Sequence, residues 1–153
     1  MAVRTFLPYT KIVKNPCVKQ KIPNPQKLGE HLLNKRLERG LLQREVAVLL
    51  AVSEDTVTYW ENGRTEPQVQ HYPAIFSFLA YYPFACDQND FREMLTKVRY
   101  CNGWDYRELG SALAVDGSTV QRWIKTQCTV PKKKMQRIAD LVEQFVAQHD
   151  LSY

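Results

Sequence analysis

Apolar residues recur at helical spacing along most of the chain from residue 26 onward. Leucines at positions 28, 32, 33 and 37 share one helical face, and Gly40 follows them. This pattern predicts a first helix that begins at Gln26 and ends at Gly40, because glycine readily adopts the left-handed conformation that terminates helices. A second predicted helix runs from Gln43 to Leu50, and its inward-facing positions are Val46, Leu49 and Leu50.

Two more helices are predicted before residue 81. Ser53 is the N-cap of a third helix, which runs from Glu54 to about Asn62 and is stopped by Gly63. Residues 69–80 form a fourth helix. Its apolar residues close the core of this first unit: Ile75, Phe76 and Leu79.

The chain then repeats this plan. Residues 28–60 align without a gap onto residues 91–123, and twelve of the 33 aligned pairs are identical. A repeated sequence predicts a repeated fold. The first helix of the second copy is lined by Phe91, Leu95 and Val98. Asp105 caps the second helix, which ends at Leu113.

The remaining elements complete the second unit. Asp116 is predicted to cap a third helix from Gly117 to about Thr126, and Pro131 begins a final helix. Five apolar residues of that final helix form a predicted buried stripe: Met135, Ile138, Leu141, Val142 and Phe145. The two tryptophans at matching positions, Trp60 and Trp123, are predicted to lie in the two cores.

Each copy therefore has the order of a helix-turn-helix. The sequence predicts an all-α protein with two tandem helix-turn-helix domains, at residues 26–82 and 91–153, and a linker at residues 83–90. Residues 1–25 form a proline-rich extended arm, with a short strand expected at Tyr9 to Val13. The arm is either a floppy tail or an ordered segment lying on DNA or on the domain.

The positive charge is unevenly distributed. Residues 1–27 carry six Lys/Arg and no acidic residue, residues 28–67 carry five against seven, and residues 91–130 carry six against four. The net charge of the whole chain is +5. Attraction to phosphate must therefore come mainly from the arm and the second unit.

Several classes of function are disfavoured by the sequence. The four cysteines and three histidines are scattered, without the C-x-x-C spacing of zinc sites, so no metal or cofactor is expected. No glycine-rich phosphate loop, H-E-x-x-H motif or nucleophile setting is present, so the protein is not expected to be an enzyme. No apolar run is long enough to span a bilayer, and no signal peptide is recognisable, so a cytoplasmic, nucleoid-associated location is expected.

The first unit resembles the lambda repressor and Cro family of helix-turn-helix regulators over roughly residues 28–80. The resemblance rests on the Gln that opens helix two, the apolar-Ser turn, and Trp60-Glu61-Asn62-Gly63 with a proline four residues later. It implies that helix three enters the major groove of double-stranded DNA and that Arg36 pairs with Glu61. The residues it implies to face base edges are Glu54, Asp55, Thr58 and Tyr59, and those implied to hold phosphates are Gln43, Asn62 and Arg64.

The second unit resembles the family less closely, because Ile124 replaces the partner acid and Tyr106 replaces the helix-two Gln. Its chemistry nevertheless suits direct readout, since Arg can grip guanine and Gln can grip adenine. The predicted base-reading residues are Gly117, Ser118, Gln121 and Arg122. The predicted phosphate contacts are Tyr106, Lys125, Lys132, Lys133 and Lys134.

We therefore expect a sequence-specific DNA-binding transcriptional regulator, a bacterial or phage repressor with two non-identical recognition helices. Glu54 and Asp55 either read cytosine or only favour the helix dipole and solvent. A homodimer is left open. One alternative is a protein-binding adaptor or antitoxin, whose acidic first unit engages a protein partner while the second holds DNA. A further alternative is the DNA-recognition module of a recombinase or transposase.

Overall fold

The computed structural model describes residues 19–87, 90–126 and 130–149, apart from the side chains of residues 142 and 144–149. The expected strand at Tyr9 to Val13, and the side chains of Val142 and Phe145, lie outside the described residues. The described residues contain helices and no strand, so the all-α prediction is confirmed. The α-helices are α1 (Leu28–Glu38), α2 (Gln43–Leu49), α3 (Glu54–Glu61), α4 (Tyr72–Leu79), α5 (Phe91–Asn102), α6 (Tyr106–Leu113), α7 (Gly117–Lys125) and α8 (Lys132–His149).

Helix α1 begins two residues later than predicted. Lys27 is its extended N-cap, and the Glu30 carboxylate accepts hydrogen bonds from the backbone N–H groups of Gln26 and Lys27 at 2.7 and 3.1 Å. These bonds pair two amides that precede the helix. A helix that began at Gln26 would leave its first amides without intrahelical acceptors, so the bonds favour the later start. Helix α4 is preceded by a single 3-10 turn, Val69–His71, within the predicted fourth helix.

The core of the first unit lies between α1, α2, α3 and α4. Trp60 is 5% exposed at its centre, surrounded by buried side chains from all four helices, so its predicted core position is confirmed. The prediction that Leu49 faces inward is wrong, because Leu49 is 61% exposed. In this seven-residue helix the inward face is instead formed by Val46, Ala47 and the C-cap Leu50.

The core of the second unit is built in the same way from α5, α6, α7 and α8. Trp123 is 5% exposed, which confirms its predicted core position, and Ile138 of α8 is buried in the same core. The prediction that Met135 is buried is wrong, since its side chain is 43% exposed. Helix α8 packs through Ile138 and the half-buried Leu141, so the contact begins one turn later than the sequence pattern suggested.

The backbone repeats along with the sequence. Gly40 and Gly103, at equivalent positions, both adopt the left-handed conformation, with φ of 67° and 68°. The same conformation recurs at Ala51 and Ala114, with φ of 53° and 52°. The left-handed residues therefore follow the first two helices at equivalent sequence positions in the two units.

The caps of α3 and α7 differ. Ser53 accepts a hydrogen bond from the Thr56 amide at 3.1 Å, as predicted. Asp116 occupies the N-cap position of α7, but its side chain makes no capping hydrogen bond, so the prediction of a side-chain cap is wrong there. Asp105 does cap α6, because it accepts from the Glu108 amide at 2.8 Å.

The two units pack against each other through α4 and α5. Cys101 of α5 is buried in the core of the first unit, and Tyr100 packs beside it. Burial raises the pKa of the Cys101 thiol to about 11, so this thiol remains protonated at neutral pH. The segment predicted as a linker takes part in this seam, since Phe84 lies 5.6 Å from the Tyr100 ring.

A buried histidine links α1 to the end of α4. His31 Nδ1 lies 2.8 Å from the Tyr81 hydroxyl, and burial lowers the pKa of His31. The ordinary pKa of histidine is about 6.5. As the pH falls through this value, His31 binds a proton in the unfolded chain but not in the folded chain, where its pKa is depressed. We expect the free energy of unfolding to decrease over that range, down to the folded pKa.

Substitution of His31 by Gln should make this pH dependence shallower. The measurement is urea denaturation of the parent and of His31→Gln between pH 7.5 and pH 5. Glu30, the nearest charged group, opposes the shift and is unchanged in both proteins. Equal slopes in the two proteins would show that His31 does not contribute to the acid sensitivity.

Candidate nucleic-acid interface

The relative position of α1, α2 and α3 is fixed by one buried carboxylate. Glu61, at the end of α3, accepts hydrogen bonds from Arg36 Nε and Nη2 at 2.5 and 2.9 Å, and from Gln43 Nε2 at 2.7 Å. Its side chain has no exposed surface. The predicted Arg36–Glu61 pair is therefore confirmed, and its burial distinguishes it from an exposed surface pair.

Gln43 is predicted to hold a phosphate, and the structure places it inside this network. Its amide nitrogen donates to Glu61, while its carbonyl oxygen accepts from the Thr58 hydroxyl at 3.1 Å. Thr58 is one of the predicted base-reading residues and is half-buried. The network thus orients the middle of α3 with respect to the start of α2.

The outward face of α3 is acidic at its N-terminus and aromatic one turn later. Glu54, Asp55 and Tyr59 are exposed. The two carboxylates lie in the first turn, where the helix dipole favours negative charge. The Arg64 guanidinium lies 5.7 Å from the centre of the Tyr59 ring, so these two predicted contact residues are brought together. Asn62, the C-cap of α3, is exposed nearby.

The equivalent position in the second unit has different chemistry. Arg99 is the counterpart of Arg36, and Ile124 stands at the position equivalent to Glu61. Its guanidinium carbon lies 4.2 Å from the centre of the Tyr106 ring, and Tyr106 stands where the first unit has Gln43. Arg99 Nε is buried and makes no hydrogen bond in the described part of the chain. A cation–π contact therefore replaces the ion pair.

The outward face of α7 is basic. Ser118, Arg122 and Lys125 are exposed, and the Arg122 side chain makes no ion pair or hydrogen bond with any described residue. Gln121 is half-buried. Gly117 faces α6, because a Cβ at this position would lie 2.8 Å from the Tyr106 carbonyl oxygen. Gly117 thus allows α6 and α7 to pack closely.

The three lysines at the start of α8 do not share one environment. Lys132 and Lys133 are exposed. Lys134 Nζ donates to the carbonyl oxygens of Leu113 and Ala114, each at 3.1 Å. Lys134 therefore satisfies carbonyls that the end of α6 would leave unpaired, and its charge complements the C-terminal end of that helix dipole.

The basic arm joins the domain at the edge of the α2–α3 surface. Lys19, the first residue that the structure describes, lies with its Nζ 3.4 Å from Glu61 Oε2. The residues before Lys19 lie outside the described part of the chain. Lys19 was not singled out by the sequence, since its partner belongs to an element 42 residues away.

Sequence reasoning also missed an apolar surface on α2. Val48 is 80% exposed, and Leu42 and Leu49 are also exposed. The equivalent residues in the second unit are polar or small: Asp105, Ser111 and Ala112. The repeat alignment contained this signal, because the same fold position is apolar in one unit only. We call Leu42, Val48 and Leu49 the α2 apolar face.

The comparison with protein families gives one match. Residues 32–83, about a third of the chain, match the family model described as helix-turn-helix. No match to the chain was found among curated proteins or among solved structures. The matched segment contains α2, α3 and α4 and most of α1, and so includes the Arg36–Glu61 network.

The described residues form neither a metal site nor a membrane-spanning helix. Among them, no group of three or more His, Cys, Asp or Glu side chains is arranged to hold a metal ion. The helices in the described part of the chain all lack the combination of length and hydropathy needed to cross a membrane.

Proposed function

We propose that this protein is a sequence-specific double-stranded DNA-binding regulator that reads the major groove with α3 and α7. The observation that carries the proposal is the helix-turn-helix match over residues 32–83, within which the buried Arg36–Glu61–Gln43 network fixes α3 with its outer face exposed. A rigidly held exposed helix is what major-groove recognition requires. A protein that occupies a DNA site without a chemical reaction keeps other proteins from that site. We therefore propose that this protein is a repressor.

The second unit is included because its backbone and charge favour the same role. The left-handed residues at the helix ends recur at equivalent positions, which supports a second, divergent helix-turn-helix. Arg122 and Lys125 extend from α7 into solvent, with Lys132 and Lys133 nearby in sequence at the start of α8. We assign base readout to Arg122, Gln121 and Ser118, and phosphate contact to the exposed lysines.

Substitution of Arg122 by Ala tests this assignment. We expect a loss of about 1–3 kcal/mol in binding free energy on the preferred site, with relaxed preference at one base pair. The preferred site is first selected from a pool of random duplexes, and binding of the parent and the variant is then measured on that site and its single-base variants.

Lys133→Ala is the matched control, because Lys133 is also exposed but is assigned to the backbone. It should weaken binding to every sequence by a similar factor. If Arg122→Ala also weakens specific and random duplexes equally, α7 does not read bases. If the parent protein selects no sequence from the pool of random duplexes, the proposed function is wrong.

The role of the first unit depends on Glu54. Its carboxylate is exposed and would repel phosphate unless it accepts a hydrogen bond from a cytosine amino group. Loss of specificity at one cytosine in Glu54→Ala would support base readout. Tighter binding to all duplexes would support the simpler role of a helix N-terminal acid.

A second candidate function, a protein-binding adaptor that also holds DNA, is favoured by the α2 apolar face. A group of exposed apolar residues on one element is typical of protein contacts. The second unit suggests the test variant, Val48→Ser with Leu49→Ala. Loss of a stoichiometric partner from this variant, with DNA binding retained, would support the adaptor.

A further inference from the structure

A cavity of about 500 Å³ lies where the first unit, the connecting segment and the second unit meet. This volume is within the usual range of small-molecule sites. Residues that line the cavity include Glu66, Tyr72, Phe84, Glu93, Tyr100 and Ile124. Since Glu66 and Tyr72 belong to the first unit and Ile124 belongs to α7, a bound molecule would contact both units.

Three aromatic rings form one side of the cavity. The centre of the Tyr72 ring lies 4.8 Å from that of Tyr100 and 6.2 Å from that of Phe84, and the Phe84 and Tyr100 centres are 5.6 Å apart. The rings are inclined to one another by 32° to 62°. Because aromatic faces carry partial negative charge, such a cluster attracts a cation or an apolar group and disfavours an anion.

The polar groups around the rings carry an excess of negative charge. Asp90 is paired with Arg92, with 2.7 Å between Oδ2 and Nη2. Glu93 accepts a hydrogen bond from the Asp87 amide and interacts electrostatically with Arg92, without a direct ion pair. Glu66 is exposed and makes no ion pair or hydrogen bond with a described residue. Burial, together with Tyr100 and Glu66, raises the pKa of Tyr72, so its ring stays neutral.

We propose that this cavity binds a small organic ammonium ion with an aromatic or methylated body. The ring cluster would contact the apolar body, while Glu66 and Glu93 would face the positive charge. An inorganic cation would leave the apolar surface of the rings uncovered, and an anion would be repelled by both carboxylates. This inference goes beyond the proposed function, and its test does not depend on DNA.

The test is calorimetric titration of the full chain with phenethylammonium, with 2-phenylethanol as the neutral analogue and phenylacetate as the anionic one. We expect the ammonium ion to bind at least about fivefold more tightly than the alcohol, since attraction of its charge to Glu66 and Glu93 adds to the same apolar contact. Phenylacetate should not bind measurably. Equal affinity for the ammonium ion and the alcohol would overturn the proposal, as would the absence of ammonium binding.

A pair of charge variants locates the site. Glu66→Gln should weaken ammonium binding by about two- to fivefold, because an exposed carboxylate contributes modestly to ion pairing. Its exposed position and lack of partners leave the fold unaffected, which circular dichroism checks. Glu143→Gln makes the same change in charge on α8, outside the cavity lining, and should leave the affinity unchanged. Equal weakening by both variants would indicate a general charge effect and overturn the proposal.

Discussion

Glu61→Ala should lower the free energy of unfolding by about 3–5 kcal/mol, because it leaves the Arg36 guanidinium buried without its partner. Arg36 is 7% exposed, and the carboxylate at Glu61 accepts two of its hydrogen bonds. The same change removes the partner of Gln43. Since domains of this size have a total stability of about 5–15 kcal/mol, the loss should be large in urea denaturation followed by circular dichroism.

Two further variants separate the unpaired charge from other effects of the substitution. Glu54→Ala removes an exposed acid from the other end of α3 and should cost no more than about 1 kcal/mol. Arg36→Met combined with Glu61→Ile removes both charges and should recover most of the stability lost in Glu61→Ala. If the double variant is as unstable as Glu61→Ala, the loss comes from packing and not from an unpaired charge.

The second unit shows why isoleucine is a reasonable replacement at position 61. Ile124 occupies the equivalent position, and Arg99 is held over the Tyr106 ring without an acidic partner among the described residues. The two units thus orient the same helices by different interactions. The Arg36–Glu61 ion pair joins the first helix of its unit to the third, whereas the Arg99–Tyr106 contact joins the first helix of its unit to the second.

Local sequence patterns predicted the helices and the centres of both cores well. The spacing of apolar residues correctly placed Trp60, Trp123 and Ile138 in the cores, because each lies on the apolar side of its helix. The same reasoning was wrong for Leu49 and Met135. In a short helix, or at the end of a long one, an apolar residue can fit the helical period and still be exposed, because no neighbouring helix covers it.

The aromatic cavity could not be predicted in this way. Tyr72 and Tyr100 lie in different repeats, and their approach depends on how α4 packs against α5. No local pattern specifies that packing, since Phe84 of the connecting segment lies outside any helical period. The α2 apolar face could have been found, because the alignment of Val48 with Ser111 shows the difference directly. The base and phosphate contacts remain predictions.

The affinity for the preferred DNA site should fall by about a thousandfold between 50 and 200 mM salt if about six phosphates are neutralised. The first unit is acidic, so the basic arm and the second unit must provide most of these contacts. Lys19 brings the chain to the α2–α3 edge through its contact with Glu61. Binding titrations at several salt concentrations measure this dependence.

Replacing Lys11 and Lys14 by Gln measures the contribution of the arm to the salt dependence. This change leaves Lys19 and its contact with Glu61 intact. If both lysines contact phosphate, the slope of log affinity against log salt should become shallower by about 1.8, at about 0.9 for each contact. Lys35→Gln with Arg39→Gln is the matched control, since Lys35 pairs with Glu38 and Arg39 lies over the Phe78 ring, on the α4 side of α1. This control should keep the parental slope. An unchanged slope in the arm variant would leave the second unit as the source of the phosphate contacts.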